Sequence, residues 1–154
     1  MAKNMTATSL KKLEQKLNQT ENVVITDKYG DEHNIALSKD FRDSKVSKVA
    51  LRYLKALQTL NKKTEIEDED VVDTSQLLPV LIFQEFTNIP IPKELNVDQL
   101  IKLNYAFIDS YITAALFNEM GQENIDKISD FAKRASEGAN GIGQNFGELA
   151  LKAK

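Results

Sequence analysis

Two prolines in Ile89-Pro90-Ile91-Pro92 cut the most apolar part of this chain in half, and no regular helix runs through them. Each lacks an amide donor and holds its predecessor in extended geometry. On the N-terminal side, Gln76 to Thr87 carries Leu77, Leu78, Leu81, Ile82, Phe83 and Phe86 with few polar positions between them. On the C-terminal side, Leu100, Ile101, Leu103, Phe107, Ile108, Tyr111, Ile112, Leu116 and Phe117 surround most of a helical circumference, leaving Lys102, Asp109 and Thr113 as a wet edge. The pattern predicts helices over Ser75 to Thr87 and Val97 to Glu119, the latter opened by Asn96 or Asp98 and closed by Met120-Gly121. Helices this apolar belong in a core or against a partner, and the longer one is expected at the centre of the fold.

The other segments are more polar. Leu10, Leu13 and Leu17 recur at helical spacing behind the hydroxyls of Thr8 and Ser9, predicting a short amphipathic helix that rests on something larger. Val23-Val24-Ile25 and His33 to Leu37 flank Asp27-Lys28-Tyr29-Gly30-Asp31, predicting a hairpin over Val23 to Leu37 with Gly30 at positive φ. From Asp43 to Asn61, Val46, Val49, Ala50, Tyr53, Leu54, Leu57 and Leu60 form an apolar face, opposite a basic stripe of Lys45, Lys48, Arg52 and Lys55. Thr64 to Asp73 holds six carboxylates and reads as an exposed acidic linker. It lacks the glycine and the acidic spacing of a calcium loop. A weaker helix is expected over Gln122 to Ser136, followed by a glycine-rich, flexible tail from Gly138 to Lys154. Together these give a mainly α (α+β) chain: one compact helical domain over residues 1–137 with a small N-terminal β-hairpin, and a tail over 138–154.

Composition narrows the chemistry. There is no cysteine and a single histidine, His33, so thiolate metal sites, disulfides, cysteine nucleophiles and paired-imidazole sites are excluded. His33 lies on the same side of its predicted strand as Ile35 and Leu37, with no partner group identifiable. Glu85, Glu94, Asp98 and Asp109 are the carboxylates nearest apolar surroundings, but no spacing brings two of them together, and caps or salt bridges account for them. The glycines of the tail follow a helix and lack the spacing of a dinucleotide-binding loop. With 23 acidic against 20 basic residues the net charge is -3, and no apolar run is long enough to span a membrane. A non-enzymatic protein without cofactor or metal is expected, in the cytoplasm.

The segment Leu77-Leu78-Pro79-Val80-Leu81-Ile82-Phe83, the proline break and the helix ending Ala114-Ala115-Leu116-Phe117-Asn118-Glu119 resemble the small tail assembly chaperones of long-tailed phages and prophages of Gram-positive bacteria. The likeness runs from Val23 to Glu119, and this chain adds the N-terminal helix and the acidic run. The resemblance implies a stoichiometric binding protein of the bacterial host cytoplasm whose partner is the tape measure protein or another tail protein. Leu77, Leu81, Phe83, Phe86, Phe107, Tyr111 and Phe117 are the residues from which core and binding groove would be built, and self-association into a homo-oligomer is expected. The alternative is a small nucleic-acid-binding regulator using Lys45, Lys48, Arg52 and Lys55. The acidic balance and the carboxylates that follow this stripe disfavour it.

Overall fold

The computed structural model describes residues 2–142. Its elements run α1 (Ala7–Leu17), β1 (Thr20–Thr26), β2 (Glu32–Ser38), α2 (Asp43–Asn61), α3 (Asp68–Ser75), α4 (Leu78–Phe86), α5 (Val97–Asp109), α6 (Ile112–Met120) and α7 (Gln122–Ile142). The mainly helical α+β architecture with an N-terminal hairpin matches the sequence pattern.

The centre of the molecule is α4, which corrects the expectation for the longer apolar stretch. Val80, Leu81, Ile82, Phe83 and Phe86 are all buried, and α4 packs between α2 and α5. Pro79 occupies its first turn, where a missing amide costs nothing. Phe41 stacks on Phe86 with ring centroids 4.5 Å apart, while Phe107 and Phe117 meet Phe83 edge-on at 5.8 and 5.7 Å. Burial of Val23, Ile25, Ile35 and Leu37 joins the hairpin to the same core, and Ile128 does so for α7.

The predicted helix over Val97 to Glu119 is two helices. Ser110 ends α5, and Tyr111 lies in the left-handed region at φ 67° before α6 begins. The break turns α6 onto β1 and α7. At the other ends local chemistry follows the sequence: Asn96 and Gln99 bond each other's backbone amides at the start of α5, and Gly121 closes α6 at φ 84°.

The acidic run also departs from expectation. Asp68 to Ser75 form α3, with Asp68, Glu69 and Asp70 in the first turn, where negative charge favours the helix. The Asp70 carboxylate accepts from the Glu67 amide at 3.1 Å and pairs with Lys63 at 2.9 Å. The Lys63 ammonium holds the Asp70 carboxyl below its ordinary range. Tyr105 donates its hydroxyl to Asp73, and Tyr53 donates to the Ser75 carbonyl at 3.2 Å, so α3 is tied to α5 and α2. Repulsion between carboxylates is offset by position within the helix and by these tethers.

At the chain ends, α1 begins one residue after Thr6, whose hydroxyl caps it together with Ser9, and not after Thr8-Ser9. It has no buried residue and so does not rest on the body as expected. α7 runs past Ser136 to Ile142, so the tail expected from Gly138 begins inside a helix. The remainder of that tail, 143–154, lies outside the described residues.

Candidate functional site

The tip of the hairpin and the break between α5 and α6 form one surface. Asp27 organises the tip: one carboxylate oxygen accepts from the amides of Tyr29 at 2.8 Å and Asp31 at 3.1 Å, and the other lies 2.8 Å from His33 Nε2. Gly30, at φ 88°, takes the turn position that a side chain would strain. The Lys28 amide then donates to the Ser110 carbonyl at 2.9 Å, fastening the turn to the helix break. As a result the Lys28 ammonium lies over the rings of both Tyr29 and Tyr111, at 5.6 and 5.9 Å. These tyrosines are 76% and 60% exposed, so two large aromatic faces and a cation stand open to solvent.

His33 therefore has a partner that sequence reasoning missed. Asp27 precedes it by six positions, and only hairpin closure brings the two together. The bond from His33 is the largest cause holding the Asp27 carboxyl below its ordinary range, ahead of the turn amides. A depressed carboxyl favours the folded turn above its unfolded-state pKa and loses that contribution as pH falls through the folded value. In His33→Ala the folded value rises, so loss of the turn on acidification is expected at higher pH than in the parent. The Tyr29 and Asp31 amide shifts followed through an acid titration check this; coincident transitions contradict it.

Tyr111 is the one non-glycine residue at positive φ among the described residues. A tyrosine there carries backbone strain of about 1 kcal/mol, and such strain concentrates at functional sites. Tyr111→Gly relieves that strain but adds freedom to the unfolded chain worth about 0.5–1 kcal/mol, so folding stability is expected to change by no more than about 0.5 kcal/mol. Urea denaturation measures the change, and a clear loss of stability would show that the ring's contacts outweigh the strain.

Beside this tip runs a groove with a cavity of about 550 Å³, lined by Glu32 to Ile35 of β2, by Asn88, Ile89 and Pro90, and by Phe107 and Ile112. Asn88 borders β2 through two bonds to Ala36: its side chain accepts from the Ala36 amide at 2.9 Å, and its own amide donates to the Ala36 carbonyl at 3.1 Å.

The structure divides the residues expected to form core and binding groove. Leu77, Leu81, Phe83 and Phe86 are wholly inside, with exposures of 0–2%, and their assignment to a binding surface is corrected. Adjacent apolar helices bury one another before any client can reach them. Phe107 and Phe117 are half-buried against Phe83, and Tyr111 is open. A further apolar surface is the α1 stripe, where Leu10 and Leu13 are 47% and 51% exposed.

The basic stripe of α2 is broken up. Arg52 pairs with the buried Glu85 at 3.1 Å and donates to Gln84 at 3.3 Å. Lys45 lies 5.9 Å from the Phe86 ring centroid, and burial followed by repulsion from Arg42 pushes its ammonium below the ordinary range. Lys48 and Lys55 remain exposed. Lys48 borders a second groove of about 400 Å³ with Leu51, Leu54 and Phe131 between α2 and α7. Two of the four cations are thus committed to the fold, and Lys48 and Lys55 are what the stripe still presents to water. Of the four carboxylates near apolar sequence, Glu85 is buried beside Arg52, while Glu94, Asp98 and Asp109 are exposed. No helix among the described residues is long and apolar enough to cross a membrane.

A family model described as YomO, a phage-associated name, matches residues 7–154. No curated protein and no solved structure matches the chain at a significant level.

Proposed function

We propose that this chain, which belongs to the YomO family, is a phage or prophage tail assembly chaperone, a non-catalytic protein of the host cytoplasm that binds the tape measure protein. The phage-associated family name and the resemblance of the paired apolar helices to tail assembly chaperones support the same reading. The observation that carries it is α1, an amphipathic helix with its own hydroxyl cap and no buried residue. A capped helix that presents Leu10 and Leu13 to water contributes little to its own fold, and its apolar stripe suits a helical client.

A tape measure chain, long and rich in apolar helix, would aggregate if left bare. Several weak contacts per copy, from α1 and from the tyrosine-bearing tip, hold such a client reversibly, and many copies along its length add by avidity. Self-association follows from the same apolar stripe when no client is present.

Replacing both Leu10 and Leu13 by Asp is expected to leave the melting temperature within about 2 °C of the parent, since neither side chain is buried. The same variant should lose most of its ability to keep a co-expressed tape measure protein in the soluble fraction. Sizing with static light scattering of the co-expressed pair provides the measurement, run beside a duplex DNA titration at about 0.15 M salt. A monomer that leaves tape measure solubility unchanged yet binds DNA tightly, and loses that binding on charge reversal at Lys48 and Lys55, would replace the chaperone with the nucleic-acid regulator.

A further inference from the structure

We infer that the outer edge of β2, at Glu32 to Asn34, takes an extended segment of a partner polypeptide by strand addition, the segment carrying aliphatic side chains at alternate positions. The inference rests on the reading of this chain as a protein-binding protein and adds to α1 and the tip a third place where a partner is held.

β1 and β2 form a two-stranded antiparallel sheet in which Val24 faces Asn34 and Asn22 faces Ala36. Both peptide groups of Ala36 bond outward, to Asn88, and so point away from β1. Alternation along an antiparallel strand sends the peptide groups of Asn34 and Glu32 the same way. Among the described residues nothing bonds to them. An edge with free donors and acceptors is a template for another strand.

The fold already uses this edge once. Thr87 bridges Leu37 in antiparallel fashion, and Asn88 continues the line opposite Ala36. The line should next run beside Ile35 and Asn34, but the Ile91 amide bonds the Ile89 carbonyl at 2.7 Å. That closes a three-residue turn around Pro90 and bows the chain off the edge. Pro90 could not have donated to β2 in any case. The space left is the 550 Å³ groove, walled by Ile35, Ile89 and Pro90 and floored by Phe107 and Ile112.

An entering strand would bond the peptide groups of Asn34 and Glu32. Its side chains on the Ile35 side would meet Phe107 and Ile112, and the alternating ones would project to water with Asn34. Backbone bonds supply affinity in this mode, and the apolar floor selects the alternation.

The test uses the full chain and a fluorescein-labelled peptide roughly ten residues long that alternates valine with threonine between flanking lysines. Anisotropy should show saturable binding, and labelled-protein spectra should show the Glu32 and Asn34 amides shifting. Methylating alternate peptide nitrogens of the probe, which keeps every side chain but blocks the strand bonds, is expected to weaken binding at least about tenfold. Asn34→Pro removes an outward-pointing amide without touching the β1 pairing and should do the same with an unchanged circular dichroism spectrum. Equal binding by the methylated peptide, or binding that leaves the Glu32 and Asn34 amides unmoved, overturns the inference whether or not the proline variant folds. No peptide binding, together with a dimer that Asn34→Pro dissociates, assigns the edge to a second copy and overturns it as well. Strand addition with no effect on tape measure solubility upholds this inference while removing the chaperone reading.

Discussion

Phe83→Ala should be among the most damaging single substitutions in this protein, lowering stability by about 3–5 kcal/mol. Phe83 has no exposed surface, and both Phe107 and Phe117 meet its ring edge-on, so truncation removes buried apolar area and two aromatic contacts at once. The cavity would lie in α4, the helix against which α2 and α5 pack, where neighbouring elements cannot collapse without leaving their other contacts. For a chain of this size the loss corresponds to a fall in melting temperature on the order of 10 °C. Scanning calorimetry of Phe83→Ala beside Tyr111→Ala is the informative comparison. Both residues come from the apolar segments, yet only the first is buried. Equal effects would mean that α4 is not the centre of the core.

The second large effect is expected at the ion pair between α2 and α4. Glu85 keeps only 6% of its side-chain surface, and Arg52, 3.1 Å away, is the cation beside it. Arg52→Met leaves a carboxylate nearly out of water without its directly paired cation and with only the weaker field of Lys45 in its place, and breaking a buried pair in this way costs up to about 3–5 kcal/mol. Glu85→Leu combined with Arg52→Met removes both charges and should recover most of that loss, because an apolar pair of similar volume needs no solvation. Urea denaturation of the two single variants and the double variant forms a cycle that isolates the pair. Additive losses would show that Arg52 acts through packing of its methylene stem alone.

These two residues also show how far the primary structure can be read. Periodicity placed Phe83 in an apolar helix and Arg52 on a basic stripe. In the folded protein the first became core, and the second became the counter-ion of a buried carboxylate. A stripe of cations at helical spacing records that the residues share a side of the helix, not that water covers all of that side. α4 lies across part of it, and Gln84 and Glu85 claim Arg52.

The acidic run gives the same lesson with opposite sign. Carboxylates in succession read as self-repelling chain, yet the first turn of a helix is where negative charge is favoured, and Lys63, Tyr53 and Tyr105 reach α3 from neighbouring elements. At Tyr111 the residue type gives no warning, since a left-handed position normally announces itself as glycine or asparagine. The break is set by what surrounds it, with Lys28 bonding the carbonyl of Ser110 from the hairpin.

By itself the sequence determined the helical class, the hairpin with Gly30 in its turn, the helix over Asp43 to Asn61, the proline break and the end of α6 at Gly121. Each depends on backbone freedom or side-chain periodicity within a few residues. Tertiary structure alone decided which apolar helix is central, that the longer one divides, that α1 stands uncovered and that Asp27, Lys28, Tyr29 and His33 meet Tyr111 at one surface. Those outcomes depend on which faces cover one another, and burial is shared between segments far apart in the chain.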